Sequence, residues 1–143
     1  MNSLPKLKLM FRHLAACGAL LAFALPLAAA ERVQAGQWES VMTTNGETKT
    51  VKYCMSAAKA ASFNGDARAG RDYTEKESGG RCAIKTFDFK GEKISYLLVC
   101  GDRTIESVQT LRGDTTEGST TTTVAGQAPS ITTIKSRRLG NCS

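Results

Sequence analysis

Residues 82–114 read CAIKTFDFKGEKISYLLVCGDRTIESVQTLRGD. Three times in this stretch a Gly is followed by Glu or Asp between runs of β-branched and aromatic residues: Gly91-Glu92, Gly101-Asp102 and Gly113-Asp114. Each pair places Gly first, as a type II′ hairpin turn requires. Centring a hairpin on Gly91-Glu92 gathers Ala83, Phe87, Phe89, Ile94, Tyr96, Leu98 and Cys100 on one face, and Lys85 is the residue that does not belong there. The turn at Gly101-Asp102 then sets Ile105 opposite Leu98 and Ser107 opposite Tyr96, which carries the same face into a strand over residues 103–111.

The pattern extends in both directions. Upstream, Asn45-Gly46 suits a type I′ turn and places Trp38 opposite Tyr53 and Ser40 opposite Val51 on one face, with Glu39 opposite Lys52 on the other. Downstream, two Thr-rich strands are expected near 116–125 and 130–138; their side chains favour pleated backbone but offer little to a core, so they are expected at an edge or in solvent. Between Met55 and Arg81, Ser56 caps a short helix running to Phe63. Asn64, Gly65, Asp66, Gly70, Gly79 and Gly80 then read as a polar, flexible insert. The expected fold is all-β: an antiparallel meander of about seven strands forming a curved sheet or small barrel, with one short helix and a flexible insert after the second strand.

The first thirty residues read differently. Lys6, Lys8 and Arg12 precede an uncharged run from Leu14 to Ala30, Pro26 breaks it near its end, and Ala28-Ala29-Ala30 supplies the small side chains of a cleavage site. Residues 1–30 are therefore expected to be a signal peptide, residues 31–143 a single domain with residues 55–81 its helix and flexible insert, and the periplasm its location. Seventeen apolar residues are short for a membrane span, so no stable span is expected after cleavage. Leu14-Ala15-Ala16-Cys17 spells a lipoprotein box, but its Cys opens the apolar run instead of closing it. Without Lys6, Lys8 and Arg12, sixteen cationic residues face thirteen acidic ones, a net charge of +3 with no basic block, which gives no footprint for nucleic acid.

Cleavage also removes Cys17 and His13, leaving Cys54, Cys82, Cys100 and Cys142 and no histidine. Four Cys in a short exported domain favour two disulfides, and without a C-x-x-C pair or a His no metal site is expected. In the register above Cys82 and Cys100 fall on opposite faces while Cys54 shares the outer face with Cys82. The expected pairs are thus Cys54–Cys82 and Cys100–Cys142, each stabilising by about 3 to 4 kcal/mol in the chain-entropy model.

Taken together, Gly36-Gln37-Trp38-Glu39 at the start, Tyr53-Cys54-Met55-Ser56 before an Ala-rich helix, and Arg138-Leu139-Gly140-Asn141-Cys142 at the end resemble the bacterial family called domain of unknown function 3617. The resemblance covers essentially the whole chain after residue 30. It implies an all-β exported domain and carries over no catalytic residue.

Motifs that could bear chemistry have plainer readings. Ser56-Ala57-Ala58-Lys59 spells the S-x-x-K of penicillin-recognising enzymes, but no S-D-N or K-T-G accompanies it and Ser56 is better placed as a helix cap. Arg112-Gly113-Asp114 is explained by its turn, and Asn141-Cys142-Ser143 by a chain end beside a disulfide. The carboxylates fall mostly in turns or on outer faces. The expected function is a non-catalytic binding or interaction domain without cofactor, its partner an envelope protein or a small apolar ligand. Trp38, Tyr53, Phe87, Phe89 and Tyr96 would either fill its core or face that ligand. The alternatives are a small barrel holding an apolar ligand, a serine hydrolase using Ser56 and Lys59, and a structural protein that assembles through the Thr-rich strands.

Overall fold

The computed structural model describes residues 31–143, so the expected signal peptide, with Cys17 and His13, lies outside the described residues. The described chain forms one antiparallel sheet of seven strands with two helices between the second and third. The strands are β1 (Gly36–Thr44), β2 (Glu47–Met55), β3 (Ala83–Lys90), β4 (Lys93–Cys100), β5 (Arg103–Arg112), β6 (Thr115–Val124) and β7 (Ser130–Gly140), in the order β2-β1-β7-β6-β5-β4-β3. From β3 to β7 each strand pairs with the next, and the β1–β2 hairpin joins on because β1 pairs with β7. The sheet is open, with β2 and β3 as its edges.

The turns set the register as expected. Asn45 and Gly46 both have positive φ, 52° and 85°, which a type I′ turn needs at both central positions. Trp38 faces Tyr53, Ser40 faces Val51 and Glu39 faces Lys52. Ile105 faces Leu98 and Ser107 faces Tyr96.

Three expectations are corrected. The Thr-rich strands β6 and β7 are not edge strands: they occupy the middle of the sheet, each hydrogen-bonded on both sides, while Thr116 and Ser136 are their buried residues and the rest are half-buried or exposed. Assembly through them as free edges therefore loses its premise. Once β7 pairs with β1 on one side and β6 on the other, its backbone groups are satisfied whatever its side chains offer to a core.

The insert read as flexible contains a second helix. Helix α1 (Ala57–Asn64) begins at Ser56, whose Oγ accepts from the Lys59 amide at 3.2 Å, as expected. Helix α2 (Ala67–Ser78) then begins at Asp66, which caps the Ala69 amide at 2.8 Å, and ends at Gly79 in the left-handed conformation. Both caps were visible in the residue types, but Gly70 in the interior of α2 reads as a breaker. Its role is steric. A Cβ on Gly70 would collide with the Phe87 ring and press on Phe89, so the absence of a side chain is what lets α2 lie against β3.

The disulfides join Cys54 to Cys142 and Cys82 to Cys100, neither of them an expected pair. The cause is a bulge. The β3–β4 register runs Phe89↔Ile94 and Phe87↔Tyr96, then shifts between Ile84 and Thr86, so that Ile84 faces Leu98 and Ala83 faces Val99. Lys85, the misfit of the apolar face, is the extra residue. The one-residue shift brings Cys82 level with Cys100, with 4.2 Å between their Cα atoms. At the other corner Gln37 of β1 lies between Cys54 and Gly140, and Cys142 reaches past the end of β1 to Cys54. The close approach there relies on Gly36, where a Cβ would overlap the Gly140 carbonyl. The helical segment is therefore not clipped at its base by one bridge: each of its two legs is anchored separately to the sheet.

The buried cluster consists of Val33, Trp38, Met55, Ala60, Ile94 and Leu111, with Tyr53, Phe63, Phe87, Phe89 and Tyr96 packed against it. Trp38 is completely buried and its indole Nε1 donates to the Gln34 carbonyl at 3.0 Å.

Candidate functional site

Inward-facing residues of adjacent strands fall into rows across the sheet. One row runs Ser40, Ser136, Thr116, Leu111; the next runs Met42, Ile134, Gly118, Gln109, Ile94, Phe89; a third runs Thr44, Thr132, Thr120, Ser107, Tyr96, Phe87. At the β3 and β4 end these rows finish in large side chains. Across β1, β7 and β6 they consist mostly of serine, threonine and glycine.

That difference leaves a cavity of about 290 Å³ on the concave side of the sheet. Its floor comes from Ser40 and Met42 of β1, Val51, Tyr53 and Met55 of β2, Ile94 and Tyr96 of β4, Gln109 and Leu111 of β5, Thr116 of β6, and Ile134 and Ser136 of β7. Val33, Lys59 and Phe63 close it from above. In a flat sheet β2 and β4 would stand about 24 Å apart, five strand spacings. That Val51 and Tyr96 line one small cavity means the sheet is strongly curled.

Several hydroxyls on and beside the floor bond to one another. Ser40 and Ser136, both buried, share a hydroxyl–hydroxyl bond of 2.7 Å; Ser107 bonds Thr120 at 2.9 Å and accepts from Gln109 Nε2 at 3.1 Å. Among the described residues no buried side-chain nitrogen or oxygen lacks a partner. The Ser40, Ser136 and Ser107 hydroxyls thus have partners, and the lining is mostly apolar, with Tyr53, Tyr96, Gln109 and Thr116 as the floor's further polar side chains. Chemically it suits an aliphatic chain better than a strongly polar molecule.

The roof is fixed at one end. Asn64 brackets the backbone of Val33 with two bonds, of 2.8 and 3.0 Å. Arg32 donates to the carbonyls of Gly91, Phe63 and Gly65 at 2.8 to 3.1 Å and lies 4.4 Å from the centre of the Phe89 ring. At the other end an adjoining outer lobe of about 210 Å³ lies between the helices and β4. Lys59, Phe63 and Tyr96 line both lobes, and Tyr73, Thr74 and Glu77 of α2 and Leu98 complete the outer one. Lys59 and Phe63 stand one helical turn apart, which puts both on the face of α1 that meets the cavity.

The aromatic residues singled out in the sequence divide by role. Trp38 is core and lines neither lobe, whereas Tyr53 and Tyr96 line the cavity. Phe87 and Phe89 meet edge to face at 5.5 Å under α2, with Phe87 stacked on Tyr96 at 5.9 Å. Ser56 spends its Oγ as the helix cap, and the Lys59 ammonium lies 5.7 Å from the centre of the Tyr53 ring. Met42, Phe63, Gln109, Ile134 and Ser136 were not foreseen as lining residues. The alternation in β7 could have shown Ile134 and Ser136 sharing a face, but not that this face is the inner one.

A second, larger depression of about 740 Å³ borders Glu31, Arg32, Asn64, Glu92 and Arg112. It is rimmed by charges and begins at the first described residue. Arg112 there bonds Glu117 at 2.8 Å and approaches Glu92 to 3.3 Å. Its pKa is raised, chiefly by the Glu117 hydrogen bond and charge, so the guanidinium stays charged throughout the ordinary pH range.

A family model described as "Protein of unknown function (DUF3617)" matches residues 33–142, a span that holds every strand, both disulfides and the cavity. No curated protein and no solved structure matches the chain.

Proposed function

The chain belongs to this family of unknown function, DUF3617, and from the cavity we propose that it is a non-catalytic binding protein of the bacterial envelope that holds a small apolar ligand on the concave face of its sheet. The observation that carries this reading is the cavity itself. It is lined by Met42, Val51, Met55, Phe63, Ile94 and Ile134, and the buried Ser40 and Ser136 hydroxyls on its floor bond each other. At about 290 Å³ it falls just below the roughly 300–1,000 Å³ of drug-sized ligand pockets, which suits one short chain.

Export through a cleaved leader is part of the proposal. Two disulfides support it, since such bridges persist in oxidising compartments. No helix among the described residues is long and apolar enough to cross a membrane. Intact mass of protein isolated from the native envelope is expected to correspond to a chain starting at Glu31; material that retains residues 1–30 would contradict this part.

Titration calorimetry with 1-decanol tests the binding itself. Saturable one-to-one binding with a negative heat-capacity change is expected, because apolar surface is buried. Ile134→Trp fills the cavity from β7 and should abolish the heat while leaving a cooperative urea transition. Binding that survives Ile134→Trp unchanged would place the ligand elsewhere.

A further inference from the structure

We propose that the ligand is a single-chain aliphatic carboxylate, its tail in the inner cavity and its carboxylate at the mouth against the ammonium of Lys59. This rests on the cavity reading above and goes further, by naming the head group and the residue that selects it.

Charge complementarity carries the choice. Lys59 is the cationic side chain that lines both lobes, at the boundary where the inner cavity adjoins the outer one. It is half-buried, and among the described residues it makes no ion pair: its ammonium has the face of the Tyr53 ring at 5.7 Å instead of a carboxylate. An ammonium held at the rim of an apolar cavity and left without a counter-ion gains from an arriving anion. Deeper in, Ser40 and Ser136 bond each other, and Met42, Val51, Met55 and Ile134 supply apolar wall. A carboxylate therefore finds its counter-charge at Lys59, and a chain its apolar contacts inside. An amphiphile oriented this way leaves neither its charge nor its tail in the wrong environment.

Size sets the length. At about 30 Å³ for each water-sized group, the inner lobe holds roughly ten. A chain of about ten carbons thus fills it and presents its head group in the outer lobe. Glu77 also lines that outer lobe and is the competing feature, since it would favour a cationic head group.

Titration of the oxidised protein at pH 7 with decanoate, 1-decanol and decyltrimethylammonium separates these possibilities. Decanoate is expected to bind about tenfold more tightly than decanol, and the cation most weakly. Lys59→Gln should remove that tenfold preference while leaving decanol affinity within twofold, and Lys59→Arg should restore it. Added salt should weaken decanoate alone. Glu77→Gln should tighten decanoate binding.

Equal affinity for decanoate and decanol, with no effect of Lys59→Gln, would overturn the head-group assignment while leaving the cavity reading intact. Preference for the cation, lost in Glu77→Gln, would overturn it in favour of Glu77. Binding of none of the three would retire the cavity reading, and this inference with it.

Discussion

The concave face is built in two different ways along its width. At the β3 and β4 end its inward side chains are Ile84, Phe87, Phe89, Ile94 and Tyr96, and α2 comes so close that Gly70 has no room for a Cβ. Across β6 and β7 the same face carries Thr116, Gly118, Thr120, Thr132, Ile134 and Ser136, and the cavity lies above Thr116, Ile134 and Ser136. Both regions share one sheet and the same hydrogen-bonded ladder. What differs is side-chain volume. Aromatic rings bring a helix down onto the sheet, whereas small hydroxyls satisfy each other in the plane of the sheet and leave the volume above unfilled. Packing at one end and vacancy at the other are thus consequences of composition on one face.

The largest effect is expected from Trp38→Ala, in β1, which breaks the core cluster that both regions share. Trp38 is wholly buried, and loss of a core Trp costs about 3–5 kcal/mol, to be read from urea unfolding at equilibrium. A change below about 1 kcal/mol would mean that the cluster around Trp38 is not the stability centre taken here.

Gly70→Val is next. Forcing a branched side chain between α2 and the Phe87 ring should cost about 1–3 kcal/mol, because rigid ring and helix backbone must separate. Hydrogen exchange should show the loss concentrated in α2 and β3. Uniform loss across the sheet would argue against the close contact as its cause.

The unfilled side should answer with a distinctive non-additivity. Ser40→Ala leaves the buried Ser136 hydroxyl without its partner and should cost about 1–3 kcal/mol, whereas Ser40→Val with Ser136→Val removes both polar groups and should come close to neutral. The double variant also reduces the cavity, so decanol affinity should fall in it although stability does not. A double variant as unstable as the sum of the singles would show that these hydroxyls do more than satisfy one another.

Much of this fold was legible in the residues, for a local reason. A Gly-Asp or Asn-Gly turn has few backbone conformations open to it, and the conformation it takes sets which residues oppose each other for a whole hairpin. The pairs Trp38–Tyr53, Ser40–Val51 and Ile105–Leu98 follow from this. Even the failed disulfide assignment left a trace, because Lys85 on an apolar face was the sign of the bulge that brings Cys82 level with Cys100. The helix over residues 67–78 was obscured by Gly70, a residue that looks like a breaker until the ring beneath it is known.

What the amino-acid order determined by itself was the hairpins, their faces and the Ser56 cap, since each depends on the conformational preferences of a few neighbouring residues. Tertiary structure alone decided that the Thr-rich strands sit at the centre of the sheet, which cysteines meet, and that a cavity lies beneath Lys59. The place of the Thr-rich strands and the Cys54–Cys142 bridge depend on β1 pairing with β7, across nearly the whole described chain, the cavity on how far the sheet curls, and the Cys82–Cys100 bridge on the bulge at Lys85. No short-range preference encodes the strand pairing or the curl, because the energy that selects them comes from contacts between residues about a hundred positions apart.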